Sequence, residues 1–334
     1  MSITIKDIAR MVNVSHTTVS RALNDSPLIK QETKDKIKEI AEAHNYVPNF
    51  NAKSLVLAKS YNLGLFFSTL KKGTTAHFFQ DVIVGANNVI QDQYTLSVKG
   101  IDDYKSLFAV QKRYFDGIML MSQSLQDDEF INHIISENIP LAVLNREIGT
   151  GKIINIISDD KEGAYNITEY IIQQGHTKIG VIEGKQDFKA SSKRRTGFME
   201  ALSNYKVTFN PMFSEVGNFD LESGYQAMKR LLTKPEQPTV VFCFNDEMAV
   251  GAMKAINEAG LKIPDDISIA GFDDSVFSGY VHPALTTVRR PIEKISYMGA
   301  KLLLEMINNT GNIQNDVIYV HTELMVRDSV KKIK

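Results

Sequence analysis

The chain of 334 residues has a single cysteine, Cys243, so no disulfide bond can form within it. Structural disulfides belong to oxidising compartments, and their absence favours a reducing one such as the cytoplasm. Cys243 lies within an apolar run at residues 240–244. This setting indicates a buried strand residue rather than a reactive thiol.

Long apolar segments are also missing. No window reaches the roughly 18 consecutive apolar residues that a membrane-spanning helix requires, so the sequence predicts no membrane contact. The first residues, Met-Ser-Ile-Thr-Ile-Lys-Asp, contain neither the apolar core nor the small-residue cleavage site of a secretory signal. We therefore expect a cytoplasmic protein.

The chain has little net charge, −1, which taken alone argues against a nucleic-acid-binding protein. The charge is unevenly distributed, however. Residues 1–60 carry nine Lys or Arg and six Asp or Glu, whereas the remainder carries 29 and 33. A basic head on an acidic body suits a DNA-binding module joined to a domain that does not touch phosphate.

The common signatures of enzymes are absent as well. The sequence has no glycine-rich phosphate loop of either usual spacing and no His/Cys cluster spaced for a metal ion. The pair Asp273-Asp274 could suggest acid–base catalysis, but adjacent carboxylates in one loop usually point apart. We therefore predict that the chain is not an enzyme and needs no cofactor and no metal.

Residues 1–60 have the pattern of short helices without strands. Apolar residues repeat at helical spacing over 5–12, Ser15 precedes a second helix that ends near Leu23, and a third runs from about Gln31 to His44. Two helices separated by a short turn and braced by a third predict a helix-turn-helix unit. The spacing alone leaves open a generic three-helix cap on the larger domain.

From residue 62 onward, strand and helix patterns alternate, which predicts parallel sheets covered by helices on both faces. The number of strands exceeds that of one compact doubly wound domain, so two lobes are predicted, with a ligand cleft between them at the carboxyl ends of the strands. The strand candidates are 63–67, 96–99, 117–121, 141–144, 153–157, 179–182, 240–244 and 267–270. The helix candidates include 78–91, 163–174, 195–203, 224–232 and 248–259.

An ordered set of short motifs along the whole chain resembles the LacI/GalR family of bacterial repressors. In the head they are Thr4-Ile5-Lys6-Asp7-Ile8-Ala9, Val14-Ser15-His16-Thr17-Thr18-Val19-Ser20-Arg21-Ala22-Leu23-Asn24, Asn45-Tyr46-Val47-Pro48-Asn49 and Ala52-Lys53-Ser54-Leu55. In the body they are Asp116-Gly117-Ile118, Gly175-His176, Gly197-Phe198, Asn245-Asp246, Gly271-Phe272-Asp273-Asp274 and Val326-Arg327-Asp328-Ser329. Each motif is weak alone, and their order is specific.

The resemblance implies an α/β protein with an N-terminal all-α helix-turn-helix head and a two-lobed, periplasmic-binding-protein-like core of parallel sheets. The head would span 1–47, a hinge 48–60, and an effector-binding and dimerisation core 61–334. Lobe one would comprise about 61–158 plus 289–320, and lobe two about 159–288 plus 321–334. The implied function is a ligand-responsive repressor of carbohydrate-utilisation genes, a homodimer on palindromic operator DNA with a sugar, sugar acid or sugar phosphate as effector.

The family places the start of the second helix in the major groove. There Arg21 could bridge the O6 and N7 of guanine, and Thr17 could contact a thymine methyl group. A surface salt bridge is the alternative for Arg21, and packing or capping alone is the alternative for Thr18 and Ser20. The DNA-contacting positions that the resemblance implies are Ser15, His16, Thr17, Thr18, Ser20, Arg21, Asn24, Asn49, Lys53 and Leu55.

The segment 51–58 is permissive for a helix but too short to be stable alone. By resemblance, paired hinge helices enter the minor groove, Leu55 wedges between base pairs, and Lys53 follows the groove. A ligand that changes the angle between the lobes would then form or melt these helices. A flexible linker is the alternative, although three adjacent aliphatic residues suit it poorly.

The resemblance also implies a set of effector-binding residues at the ends of strands. Carboxylates and amides bind sugar hydroxyl groups, arginine donates a fork of hydrogen bonds, and an aromatic ring covers an apolar sugar face. Of the two adjacent phenylalanines in the set, Phe79 is favoured as the ligand face. The set is Phe78, Phe79, Asn145, Arg146, Arg194, Asn245 and Asp273.

His77 and a run of basic residues each allow two interpretations. His77 stands where the family often has proline, and it either lines the pocket or, as we favour, caps the helix. A basic run, Lys185, Lys189, Lys193, Arg194 and Arg195, leads into the Gly197 helix. Such a run is usually a solvated face, but a lysine turned inward beside Arg194 would favour an acidic ligand.

Two other functions remain as alternatives. An exported sugar-binding transport receptor would share the two lobes, but the missing signal peptide and the helical head speak against it. A regulator that responds to a non-sugar effector such as a purine is the second alternative.

Overall fold

The computed structural model of the protein describes residues 3–23, 25–44, 46, 59–70, 74–104, 106–149, 153–310 and 316–333. The chain divides into two compact units, Met1–Tyr61 and Asn62–Lys334. Four residues singled out for DNA contact, Asn24, Asn49, Lys53 and Leu55, lie outside the described residues.

The described part of the first unit consists of three helices. They are α1 (Ile5–Val12), α2 (His16–Leu23) and α3 (Gln31–Ala43), packed around a small core that includes Ile8, Val19 and Ile37. The predicted cap of α2 is present, because Ser15 Oγ accepts a hydrogen bond from the Thr18 backbone nitrogen at 3.1 Å. Two helices joined by a tight turn and braced by a third form the expected helix-turn-helix arrangement.

The second unit alternates strands and helices. Its strands are β1 (Asn62–Phe67), β2 (Thr95–Gly100), β3 (Gly117–Met121), β4 (Leu141–Leu144), β5 (Ile154–Ser158), β6 (Ile179–Glu183), β7 (Ser214–Val216), β8 (Val240–Cys243), β9 (Ser268–Ala270), β10 (Thr287–Arg289), β11 (Val317–Val320) and β12 (Glu323–Met325). Its helices are α4 (Ala76–Ile90), α5 (Asp128–Ser136), α6 (Asp160–Gln173), α7 (Lys189–Asn204), α8 (Leu221–Leu232), α9 (Asp246–Glu258) and α10 (Ile292–Asn308). Short 3-10 turns lie at Gln91–Gln93, Ile101–Asp103, Leu107–Ala109, Leu125–Asp127, Pro211–Phe213 and Val276–Gly279.

The strands form two parallel sheets, each the centre of one lobe. Lobe one has the six-stranded order β11-β5-β4-β3-β1-β2, and lobe two has the four-stranded order β7-β6-β8-β9. Strands β10 and β12 make a small antiparallel pair beside them. The chain passes between the lobes after β5, after β10 and after β11. Central strands such as β3 and β8 are buried throughout, as sheets covered on both faces require.

Some predicted boundaries were wrong. Helix α7 begins at Lys189, six residues before the predicted start, because its first turns, Lys-Ala-Ser-Ser-Lys-Arg, show no apolar repeat. Most of the basic run is therefore helical rather than loop. The three-residue strands β7, β10 and β12 were not predicted, since segments this short carry almost no periodic signal.

Candidate functional site

A small buried cavity lies between the two lobes of the second unit, at the carboxyl ends of their strands. Asn145 directly follows β4, Asn245 follows β8 by two residues, and Asp273 follows β9 by three. Because the carboxyl ends of parallel strands face the same edge of each sheet, these side chains converge. The lining residues are Thr75, Phe78, Gln123, Asn145, Phe188, Ala190, Arg194, Phe219, Asn245, Asp273 and Arg290.

Two buried arginines of the cavity wall are held by one carboxylate behind it. Asp160 Oδ2 accepts hydrogen bonds from Arg194 Nε at 3.0 Å and Nη2 at 2.9 Å, and Asp160 Oδ1 accepts one from Arg290 Nε at 2.9 Å. Burial alone would raise the pKa of Asp160, but the charges of Arg290 and Arg194 lower it below its usual range. Asp160 therefore remains ionised and fixes both guanidinium groups.

Asp273 contacts the same arginines less closely. Its Oδ1 lies 3.3 Å from Arg194 Nη2 and 3.6 Å from Arg290 Nη1, and its side chain is 18% exposed. The backbone here is strained, because Asp273 and Asp274 have φ of 116° and 55° and Asn145 has φ of 70°. Strained positions that persist in a folded protein concentrate at ligand-binding and other functional sites.

Aromatic rings supply the apolar walls of the cavity. Phe78 comes from α4 in lobe one, whereas Phe188 and Phe219 precede α7 and α8 in lobe two. The rings of Phe188 and Phe219 stack with their centroids 6.0 Å apart. The cavity thus combines apolar faces with a polar base, the combination that a sugar ring requires.

The lobes are closed upon each other. The Lys189 backbone nitrogen of lobe two donates to the Gln123 carbonyl oxygen of lobe one at 2.9 Å, and Lys193 Nζ lies 3.3 Å from Glu147 Oε2 at the rim. In this arrangement the cavity has a volume of about 40 Å³. Typical ligand pockets measure roughly 300–1,000 Å³, so the lobes must separate before a sugar can enter.

The structure brings five of the seven predicted effector residues to the cavity: Phe78, Asn145, Arg194, Asn245 and Asp273. Phe79 does not line it, whereas Phe78 does, so the geometry favours Phe78 over Phe79 as the ligand face. The Phe79 ring packs against Phe67 at a centroid distance of 5.3 Å, because the helical turn from α4 sends adjacent side chains in different directions.

Arg146 does not line the cavity either. Its Nε donates to Ser122 Oγ at 2.7 Å, and its Nη2 pairs with Asp128 at 2.5 Å, at the start of α5. The guanidinium group is thereby committed to contacts within lobe one.

His77 lies outside this cavity and lines a neighbouring one that Asp273 and Arg290 also border. Thr75 caps α4, since its Oγ1 accepts from the Phe78 backbone nitrogen at 3.2 Å, and the His77 ring lies 3.5 Å from Asp81 outside the cavity. No lysine of the basic run lines the cavity either. Lys185 lies over the Phe188 ring at 4.6 Å, and Lys193 pairs with Glu147.

Two further acidic residues hold the loop that carries Asp273. The Asp274 carboxylate pairs with Arg289 at 2.8 Å and Arg327 at 2.6 Å, so the two adjacent carboxylates have separate partners as expected. Asp246 is fully buried and accepts from the Ser275 backbone nitrogen, Ser278 Oγ and Thr287 Oγ1. Burial, together with the charge of Asp273, raises the pKa of Asp246 to about 7.

Sequence reasoning missed the anchor Asp160 and six residues of the lining: Thr75, Gln123, Phe188, Ala190, Phe219 and Arg290. A usable signal existed for two of them, because Phe188 and Phe219 are aromatic residues one and two positions before helices, at strand-to-helix turns. Arg290 stands in the run Arg-Arg-Pro, where nothing local distinguishes a buried arginine from a surface one.

The helix-turn-helix unit presents an exposed polar face on α2. His16, Thr17 and Arg21 are exposed, and within the described residues Arg21 makes no ion pair, so the salt-bridge alternative for it finds no support. Thr18 is partly buried, and its hydroxyl lies 2.9 Å from Ser15 Oγ. Ser20 is partly buried as well. This face has the composition of a helix that reads base edges.

None of the helices in the described residues is both long enough and apolar enough to cross a membrane. The same residues contain no group of three His, Cys, Asp or Glu side chains arranged to hold a metal ion.

Comparison with known proteins places the chain in a family. Residues 4–49 match the bacterial regulatory proteins of the lacI family, and residues 168–330 match a periplasmic binding protein-like domain. A protein of Bacillus subtilis strain 168, described as a probable HTH-type transcriptional repressor ExuR, is 53% identical over 331 residues, covering 99% of each chain. The chain belongs to the lacI family.

Solved structures of this lacI-family fold extend over most of the chain. The lac repressor dimer bound to operator and the anti-inducer ONPF is similar with a TM-score of 0.84 and 24% identity, covering 99% of this chain and 100% of that one. A lacI-family regulator from Enterococcus faecium with bound ribose is similar with a TM-score of 0.72 and 25% identity, covering 82% and 100%. The predicted family, the fold with its helix-turn-helix head, and the function of a DNA-binding transcription regulator are confirmed.

Proposed function

We propose that this lacI-family regulator represses transcription as a homodimer on a palindromic operator, and that a sugar or sugar acid in the cavity between its lobes changes its affinity for DNA. The observation that carries the proposal is the cavity, where two fixed arginines, amides and a carboxylate converge between aromatic walls. The repressor role is supported by the name of the relative that is 53% identical.

The cavity chemistry suits a polyhydroxylated ligand. Asp273, Asn145 and Asn245 would accept or donate hydrogen bonds to ring hydroxyl groups. Phe78 and Phe219 would cover the apolar faces of the ring, as their positions in opposite walls allow. The guanidinium groups of Arg194 and Arg290 suit the carboxylate of a sugar acid. The ribose carried by the Enterococcus faecium regulator supports a monosaccharide as ligand.

The head would read the operator through the exposed face of α2, with His16, Thr17 and Arg21 toward base edges. Ser15, Thr18 and Ser20 would contact phosphates or support the helix. The predicted contacts of Asn24, Asn49, Lys53 and Leu55 extend this proposal by the resemblance alone. Two heads on one palindrome require a twofold dimer.

The proposed role as a repressor also covers the expected location and the expected lack of catalytic activity. A repressor of transcription acts in the cytoplasm, where bacterial DNA lies, and it needs no catalytic group. The match to a transcriptional repressor over 99% of the chain speaks against an exported transport receptor.

Two measurements test the proposed function. Selection of bound duplexes from a random DNA library is expected to enrich a palindrome, and enrichment of an unpaired half-site or of no sequence would contradict the dimeric operator complex. Thermal stabilisation against sugars, sugar acids, sugar phosphates and purines is expected to give a shift that grows with the concentration of one sugar class. A purine as the sole stabilising compound would overturn the sugar site and leave the DNA-binding role standing.

A further inference from the structure

We propose that the charge of Asp273 sets the selectivity of the cavity between sugar acids and neutral sugars, an inference that rests on the sugar site proposed above. With the Asp273 carboxylate ionised, the cavity favours a neutral sugar. With the Asp273 carboxylate protonated, the cavity accepts a sugar acid, whose carboxylate then supplies the negative charge that Asp273 has lost.

The charges around the cavity balance. Arg194 and Arg290 carry one positive charge each and cannot lose it under ordinary conditions. Asp160 is ionised and bonded to both, and Ser158 Oγ donates to its Oδ1 at 2.6 Å. Asp273, when ionised, completes a buried set of two positive and two negative charges. A ligand carboxylate would therefore enter a neutral cluster, and not a positive one.

Of the four groups, Asp273 is the one whose charge can change. Its contacts with the arginines, 3.3 and 3.6 Å, are longer than those of Asp160. Burial raises the pKa of Asp273, and the charges of Arg194 and Arg290 oppose that rise while Asp160 adds to it. Further groups face it from the packed elements: His77 and Asp81 on α4, and Asp246 and Glu247 on α9.

The closed cavity makes a charge imbalance costly. In this small cavity of about 40 Å³ an unpaired negative charge loses hydration without gaining a partner. A sugar acid can avoid this cost if Asp273 takes up a proton on binding. A neutral sugar has the opposite requirement, because an ionised carboxylate is the stronger acceptor for its hydroxyl groups.

The test uses matched probe pairs that differ in one carboxylate: D-glucose and D-glucuronate, D-galactose and D-galacturonate, D-ribose and D-ribonate. Titration calorimetry would compare the full chain, Asp273→Asn and the control Glu215→Gln, whose carboxylate lies outside the cavity lining. The ratio of acid to neutral affinity is expected to rise about tenfold or more in Asp273→Asn, the effect of removing one charge from a buried cluster. It should stay within about twofold in Glu215→Gln, because the Glu215 carboxylate pairs with Arg230 and Lys234 within lobe two.

A second measurement needs no variant. In the unchanged protein, the affinity for the acid of a bound pair should fall as the pH rises from about 6 to about 8, relative to the neutral sugar of that pair. The neutral partner of each pair corrects for effects of pH on the protein that both ligands share.

Four outcomes of these measurements would contradict the proposal. An unchanged affinity ratio in Asp273→Asn overturns the proposal, and so does a pH-independent ratio in the unchanged protein. Loss of all binding in Asp273→Asn at an unaltered melting temperature would reduce Asp273 to a hydroxyl acceptor and also overturn it. If the unchanged protein binds no probe, the sugar site itself fails and this inference with it.

Discussion

Arg290 Nε donates to Asp160 Oδ1 at 2.9 Å, and this contact joins two segments in which the chain crosses between the lobes. Asp160 begins α6, directly after the crossing into lobe two, and Arg290 follows β10 at the crossing back into lobe one. The second oxygen of Asp160 binds Arg194 of α7. One buried carboxylate therefore ties both crossings to the cavity wall, so that ligand contacts and the angle between the lobes share the same side chains.

Asp160→Ala should destabilise the protein by about 3–5 kcal/mol, because it leaves two buried arginines without their principal partner. The neighbouring Asp159 provides a matched control. Its Oδ1 accepts from the Glu162 backbone nitrogen at 3.0 Å as the cap of α6, so Asp159→Ala should cost about 1 kcal/mol. Urea unfolding of both variants measures the difference. Equal losses would mean that Asp160 acts as an ordinary helix-end residue.

Substitution of the two adjacent phenylalanines should separate binding from packing. Phe78→Ala should weaken sugar binding about tenfold, since it removes one wall of the cavity. Phe79→Ala should leave the affinity nearly unchanged and lower the melting temperature, because its ring packs on Phe67. Calorimetry and thermal unfolding of both variants check this. Stronger loss of binding in Phe79→Ala would restore the original preference for that residue.

Arg21→Ala should weaken operator binding by about 1–3 kcal/mol and relax the base preference at one position of each half-site. Arg10→Ala is the control, because Arg10 is an exposed arginine of α1 that pairs with Asp7. It should leave the base preference intact. Binding to a set of single-base operator variants measures both. A uniform loss across all of them would make Arg21 a phosphate contact rather than a base contact.

Tyr280→Lys should weaken the proposed homodimer. Tyr280 and Val276 are 86% and 67% exposed at one turn of lobe two, and exposed apolar neighbours are typical of interfaces. Tyr205→Lys serves as control, since the Tyr205 hydroxyl bonds to Glu169 within its own lobe. Sedimentation at micromolar concentration should show a monomer for the first variant alone. A dimer that survives Tyr280→Lys would place the interface elsewhere.

The sequence was sufficient to predict the bounds of the elements whose patterns are local and strong. Strands β3 and β4 have the predicted bounds, because each is a fully buried apolar run that ends at polar residues. Asn145, Asn245 and Asp273 were named from the resemblance, and the strand pattern agrees with it, since the carboxyl ends of parallel strands form the ligand edge of a sheet.

Side-chain direction and long-range pairing limit what can be predicted of the site from the sequence. Arg146 stands beside Asn145 in the sequence, yet Asp128 draws it away from the cavity. Arg290 lies 130 residues from Asp160, and only the folded chain brings them together. The adjacent residues Phe78 and Phe79 have similar local signals and both contact Phe67, but only Phe78 lines the cavity. The direction in which each side chain leaves the helix decides which of the two rings reaches the cavity. The local sequence does not specify that direction.

His176 is a fully buried histidine that links the turn after α6 to the C-terminal segment. Its Nε2 donates to the Lys331 carbonyl oxygen at 3.0 Å, and its Nδ1 lies 2.8 Å from Thr239 Oγ1. Burial lowers the pKa of His176 below its usual value, so the folded state favours the neutral ring. Its contribution to stability is present above about pH 6.5, the unfolded value, and is lost as the pH falls through the lower folded pKa.

The free energy of unfolding should therefore decrease as the pH falls below about 6.5, and His176→Gln should flatten that decrease. Exposed His321 provides a control of opposite sign. Its hydrogen bond with Glu162 raises its pKa, so its smaller contribution is present at low pH and lost as the pH rises. Urea unfolding across this range measures the slopes of the unchanged protein, His176→Gln and His321→Gln. An unaltered slope in His176→Gln would show that the acid sensitivity arises from carboxylates instead.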